Sequence, residues 1–220
     1  MSTPPRAAGA PVAPQVRDEL APLPVSASET VFTGRIWDVV RDTVELDGGP
    51  VVREYQRHPG AVGILALDDE ERVLLLHQYR HPVRHLLWEP PAGLLDVEGE
   101  HPHAAAVREL AEEADLRAGT WHVLMDWFNS PGGSDEAFRL FLARDLTPVP
   151  EAERHVREHE EASMTAVWVP LDEARDAVLE GRLANPTAVA GVLAAWSARA
   201  AGWSGLRPVD APWLRHRAYR

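Results

Sequence analysis

Apolar and polar positions change period several times along this chain, and each change marks an element. Val31 to Leu46 and Val51 to Arg57 are β-branched and alternating, with the turn signal Asp47-Gly48-Gly49 between them. That pattern predicts a hairpin or small antiparallel sheet. Two apolar runs, Ala61 to Leu67 and Val73 to Tyr79, read as strands on either side of the acidic turn Asp68-Asp69-Glu70-Glu71, and a further strand runs into Trp88-Glu89. Thr120 to Phe128 and Phe138 to Arg144 flank the polar loop Asn129 to Glu136, and Thr165 to Val169 forms one more strand. The spacing then predicts two closing helices, Leu171 to about Gly181 and Pro186 to about Ala201, the second with Asn185 as cap and Pro186 as first residue. Strands and helices alternating irregularly imply an α/β (α+β) fold, a mixed sheet covered by helices on both faces.

The ends read differently. Six prolines between Pro4 and Pro24, with no repeating apolar face, mark a tail, and order is expected to begin near Glu29. The expected organisation is therefore a tail over 1–28, an N-terminal β subdomain over 29–59, the main domain over 60–202 and a C-terminal tail over 203–220. That last segment, with Trp203 and Trp213 among several arginines, either packs back on the domain or frays.

Chemistry concentrates on one predicted helix. Pro102 suits its first turn, and Arg108-Glu109-Leu110-Ala111-Glu112-Glu113 lies within it. Glu109, Glu112 and Glu113 fall at i, i+3 and i+4 and so share a face, while Ala106, Leu110 and Ala114 form an apolar stripe on another. Like charges this close repel each other unless a polyvalent cation lies between them, and a set of carboxylate oxygens suits Mg²⁺ or Mn²⁺ better than Zn²⁺. A plain solvated Glu-rich face has the same letters. The context distinguishes the two, because Pro91-Ala92-Gly93 and Glu100 precede the helix.

Composition narrows the classes. The formal charge of −12, from 22 Lys and Arg against 34 Asp and Glu, disfavours a nucleic-acid or acidic-membrane partner. An anionic small substrate would have to be met locally, by bound cations and a few arginines. Cysteine is absent, which removes disulfides and thiolate metal sites and fits a reducing compartment. The N-terminus lacks the apolar core of a signal peptide, and no apolar run is long enough to span a bilayer, so the expected location is the cytoplasm. His155 and His159 are four apart, but Val156 stands where a metalloprotease motif needs Glu, and zinc is set aside.

Gly93, Glu100, Arg108, Glu109, Leu110, Glu112, Glu113 and Leu116 together resemble the Nudix box, Gly-x5-Glu-x7-Arg-Glu-aliphatic-x-Glu-Glu-x-Gly-aliphatic. Two positions depart from it. Six residues separate Gly93 from Glu100, and Asp115 stands in place of the last glycine. Asp tolerates the left-handed conformation better than most residues, so the second departure is mild if the helix ends there. Over roughly Thr33 to Trp196 the chain is further similar to ADP-ribose pyrophosphatases, through Gly34-Arg35-Ile36-Trp37, Gln78-Tyr79-Arg80, Glu89-Pro90-Pro91-Ala92-Gly93, Ser130-Pro131-Gly132-Gly133 and Glu158-His159-Glu160-Glu161.

The resemblance implies a Nudix α/β/α sandwich with an N-terminal antiparallel β subdomain exchanged in a homodimer. It also implies cleavage of ADP-ribose, or a related nucleoside diphosphate derivative, into AMP and ribose 5-phosphate with Mg²⁺ or Mn²⁺. Metal binding falls to Glu109 and Glu113, with Glu112 contributing and the Ala92 carbonyl completing a site, and Arg108 holds the loop and acids in place. A general base belongs outside the helix, since metal-bound carboxylates accept protons poorly. Glu158 is chosen, with Glu160 and Glu161 close enough to replace it. Trp37 is the candidate to stack on adenine, Arg80 and Arg53 to pair with phosphate, and Glu136 to hold a ribose hydroxyl. Two alternatives stay open: another nucleoside diphosphate sugar or dinucleotide as substrate, and a nucleotide-sensing protein of the same fold that does not cleave.

Overall fold

A short run that is apolar at every position must be covered on both faces, and Ala61-Val62-Gly63-Ile64-Leu65-Ala66 is such a run, buried throughout. In the computed structural model, which describes residues 16–157 and 164–219, this run is the fourth of ten strands. They are β1 (Val25–Thr33), β2 (Asp38–Leu46), β3 (Gly49–Arg57), β4 (Ala61–Ala66), β5 (Arg72–Arg80), β6 (His85–Glu89), β7 (Ala92–Leu94), β8 (Leu116–Phe128), β9 (Ala137–Pro148) and β10 (Thr165–Pro170). Helix α1 (Pro102–Ala114) lies between β7 and β8, and α2 (Leu171–Leu179) and α3 (Pro186–Ala200) follow β10.

The strands form three sheets. A mixed sheet has the order β7-β4-β9-β8, with β4 and β9 parallel and the other pairs antiparallel. A second, antiparallel sheet runs β10-β5-β6, and a third, at the N-terminus, runs β1-β2-β3. Because side chains alternate along a strand, the mixed sheet offers a different set to each side. Val62, Ile64, Ala66, Phe141 and Ala143 pack with Ala105, Ala106 and Leu110 of α1. Leu65, Leu67, Leu140 and Leu142 pack with Leu171, Ala174 and Ala177 of α2 and with Val192 and Ala195 of α3. Helices thus cover the sheet from both sides. The strands on either side of the acidic turn do not share a sheet, however. Leu67 bridges Val73, and the chain then crosses from the mixed sheet to the second one.

The helix ends follow from local chemistry. Asn185 Oδ1 accepts from the amides of Thr187 and Ala188 at 2.8 and 3.0 Å, capping α3. Helix α1 starts on His101, whose Nδ1 accepts from the His103 amide at 3.2 Å, with Pro102 as first residue. It stops at Asp115, which adopts φ 54°, ψ 35°, the left-handed conformation a glycine takes most easily.

Two features depart from the expectation. The alternating run from Val31 to Leu46 is split, because the chain turns sharply at Gly34, whose amide donates to the Trp37 carbonyl at 3.2 Å. A side chain at Gly34 would place its Cβ 2.4 Å from that oxygen. The strand before the turn reaches back to Val25, ahead of the expected start near Glu29, because β2 pairs with it as far as Val25 opposite Val44.

The C-terminal segment resolves the alternative left open for it by packing back. Trp213 is 1% exposed under the Arg139 guanidinium, which sits 4.8 Å from its ring and donates to the carbonyls of Ala211 and Pro212. His216 meets the Pro59 carbonyl at 2.7 Å, and Tyr219 Oη donates to the Glu100 carbonyl at 3.0 Å. No helix among the described residues is long and apolar enough to cross a membrane.

Candidate active site

The carboxylates of α1 face the short strand β7. Helix α1 seats Ala105, Ala106 and Leu110 in the core, which leaves Glu109 and Glu113, one turn apart, against the loop that β7 begins. The Ala92 amide donates to Glu113 Oε2 at 2.9 Å. At Gly93 an added Cβ would lie 2.0 Å from Glu109 Oε1, so only glycine permits this approach. Strand β7 is fixed in turn by pairing with β4, Gly63 opposite Ala92 and Val62 opposite Gly93. Two carboxylates are therefore held against one rigid stretch of backbone.

Arg108 organises the other side. Its Nε and Nη2 donate to the two oxygens of Glu100 at 3.1 and 3.0 Å, and its Nη1 donates to Glu109 at 2.6 Å and to Glu112 at 3.1 Å. The hydrogen bonds to Glu100, with the nearby Glu109 charge, raise the guanidinium above its ordinary pKa, so it stays charged. Conversely, Arg108 draws the Glu100 carboxyl below the usual glutamate range. Glu112 faces an open cleft of ≈ 640 Å³ that Arg108, Ala111, Glu153, Arg154 and His155 also line.

The donor set fits a hard divalent cation. Glu109 and Glu113 both lie against the Ala92–Gly93 backbone, and the Glu109 carboxylate occupies the place a side chain at Gly93 would take. Among the described residues no three His, Cys, Asp or Glu side chains are grouped closely enough to hold a metal by themselves, so waters and substrate oxygens would have to supply most of the shell of an ion held here.

The remaining sequence-derived candidates are dispersed. Trp37, 39% exposed, follows the Gly34 turn, and Arg53 lies on exposed β3 with its Nη1 on the Val52 carbonyl. Their sheet meets the rest of the chain at Gln56, which hydrogen-bonds Gly133 and Asp135. Glu136 lies in that same loop region, its amide donating to Ser134 Oγ at 3.2 Å. Arg80 is clasped by Glu89 through contacts of 2.7 to 3.1 Å. Glu89, 4% exposed at the end of β6, received no role from the sequence, although a lone acid closing an apolar strand was a usable signal. Glu158, Glu160 and Glu161 lie outside the described residues.

Comparison with known proteins places this geometry. The family model of the NUDIX domain matches residues 57–189. The chain belongs to the NUDIX family. Among its relatives, the ADP-ribose pyrophosphatase of Mycobacterium tuberculosis (strain ATCC 25618 / H37Rv) is 48% identical over 189 residues, 86% of this chain and 89% of that protein. The methanol dehydrogenase activator of Bacillus methanolicus is 34% identical over 75% of this chain and 88% of its own length. A crystal structure described as an ADP compounds hydrolase superposes with a TM-score of 0.68 at 23% identity, covering 84% of this chain and 99% of that one, a likeness of fold. Sheet order, helices and box helix together are those of a NUDIX protein.

Two outcomes test the site. Gly93→Ala should weaken Mn²⁺ binding on the order of ten- to a hundredfold, read by electron paramagnetic resonance titration, with the circular dichroism spectrum unchanged. Arg108→Gln should cost about 2 kcal/mol in urea unfolding near neutrality, since charged hydrogen bonds are lost. Because the folded Glu100 pKa is depressed, its stabilisation is complete above the ordinary glutamate range and disappears as pH falls through the depressed value. The cost of Arg108→Gln should therefore shrink as the pH falls below the ordinary glutamate range.

Proposed function

We propose that this chain is a divalent-metal-dependent hydrolase that cleaves the pyrophosphate of ADP-ribose to give AMP and ribose 5-phosphate. One observation carries the proposal: Glu109 and Glu113 converge on the Ala92–Gly93 backbone within the matched NUDIX region of a chain 48% identical to an ADP-ribose pyrophosphatase. Glu109, Glu113 and Glu112, with the Ala92 carbonyl, would hold Mg²⁺ or Mn²⁺, whose chemistry when bound is to neutralise charge on the pyrophosphate oxygens.

The chain's own residues supply the rest. Arg108 orients Glu109 and Glu112 while itself remaining charged. Glu158 takes a proton from the attacking water as it adds to phosphorus, and the bond to the bridging oxygen breaks. Arg80, fixed by Glu89, and Arg53 pair with phosphate oxygens, Trp37 covers adenine, and Glu136 accepts from a ribose hydroxyl. A cytoplasmic location fits a cysteine-free enzyme acting on a nucleotide.

The partner in this proposal is a second copy of the chain. Strand β1 is exposed along its whole length, and Val31, Phe32, Ile36, Trp37 and Val52 leave an apolar surface on the N-terminal sheet. Surfaces of this kind on a sheet mark sites of association. In a homodimer this sheet would bring Trp37 and Arg53 to the partner subunit's box helix.

Purified chain incubated with ADP-ribose and Mg²⁺ should release AMP and ribose 5-phosphate, separated by ion-exchange chromatography, and Glu113→Gln should lose on the order of a hundredfold or more in kcat. Retained turnover in that variant removes the metal assignment, and faster cleavage of GDP-mannose than of ADP-ribose removes the substrate. Sedimentation should give a dimer mass, and Phe32→Glu with Ile36→Glu should give a monomer; a monomeric wild type ends the exchange proposal.

A further inference from the structure

The box position held by glycine in the family pattern carries a side chain here, and that side chain has a partner. Asp115 ends α1 in the left-handed conformation at φ 54°, where a glycine would fit with less strain. Its Oδ2 accepts from Arg157 Nη2 at 2.7 Å, and Arg157 Nε donates to the Glu112 carbonyl at 2.9 Å. The Asp115 carbonyl also accepts from the Val149 amide at 2.8 Å. Both groups are largely sheltered, with Asp115 23% and Arg157 27% exposed at the side chain. Asp115 Oδ1 is buried and makes no hydrogen bond among the described residues, so Arg157 is the counter-ion that makes this carboxylate tolerable. A guanidinium at the end of α1 also meets the negative end of the helix dipole.

These contacts tie both ends of one segment to the end of α1. Between Val149 and Arg157 the chain makes a 3₁₀ turn, Glu151–Glu153, and then presents Arg154, His155 and Val156 to the cleft whose opposite wall is Arg108, Ala111 and Glu112. We propose that Asp115 and Arg157 are positioning residues, an ion pair that holds this wall at the working distance from Arg108 and Glu112. Glycine at 115 would end the helix equally well but leave Arg157 without its carboxylate. The inference rests on the α1 face being the catalytic site.

Asp115→Gly, Asp115→Asn, Arg157→Gln and the double variant Asp115→Gly with Arg157→Gln test it, in the full chain with Mg²⁺ and ADP-ribose. Asp115→Gly and Arg157→Gln should each lower kcat on the order of ten- to a hundredfold with KM little changed, the effect of a displaced wall. The double variant should be no slower than the worse single one, because both remove the same contact. Asp115→Asn, which keeps an acceptor for Arg157 and tolerates the left-handed conformation, should recover most of the loss. Glycine relieves backbone strain, so the melting temperature of Asp115→Gly should hold while kcat falls. Hydrogen exchange over 149–157 should accelerate in both single variants. Wild-type kcat in Asp115→Gly, or losses that multiply in the double variant, would overturn the proposal. A wild-type chain inert on ADP-ribose would overturn the functional reading instead. Exchange then decides the latch: acceleration supports it, and unchanged exchange removes it.

Discussion

Glu113 of α1 hydrogen-bonds the backbone of β7, Glu109 fills the place a Gly93 side chain would take, and most of the structure serves to keep them there. The approach needs three things at once. Strand β4 must be buried and paired so that β7 cannot move, Gly93 must lack a side chain, and the apolar stripe of α1 must set the helix on the sheet at the right rotation. Each is a packing condition, and core packing is stiff enough to hold a site to fractions of an ångström. The core is thus part of the proposed chemistry, since it fixes where the carboxylate oxygens would meet a cation and a diphosphate.

Charge is managed locally in a chain that carries an overall excess of acids. Arg108 gathers Glu100, Glu109 and Glu112, Arg80 meets the buried Glu89, and Arg139 with Arg207 neutralises Asp126 beneath the C-terminal segment. A buried pair of this kind adds little net stability against an apolar replacement, but removing one partner leaves a charge stranded in low dielectric. Their value is geometric. Each arginine fixes a carboxylate or carbonyl that a flexible side chain would otherwise leave loose, and Arg157 extends the same device to the far end of α1.

The N-terminal sheet follows a different logic. Its strands pair along their lengths, with two bulges in β1, yet β1 buries nothing and the apolar residues around Phe32 and Trp37 are exposed. That exposed apolar surface is the physical ground for the proposed interface with a second copy. The chain meets its own domain through Gln56 and the Gly133–Asp135 loop, so the sheet can extend outward without disturbing the core.

Local pattern alone determined much of this protein. Alternation and turn residues gave most of the strands and the hairpin at Asp47-Gly48, Asn185 and Pro186 gave the start of α3, and the spacing of Glu109, Glu112 and Glu113 placed three acids on one helix, because capping, turn and periodicity signals act over a few residues. Tertiary structure alone decided that β4 and β5 belong to different sheets, that the chain breaks at Gly34, that Trp213 and Tyr219 pack back on the domain, and that Arg80 belongs to Glu89 and Asp115 to Arg157. Those contacts join residues that are distant along the chain or set by close backbone approach, and neither leaves a periodic trace. A single sequence records which side chains are available at each turn, and only the packed fold determines which of them meet.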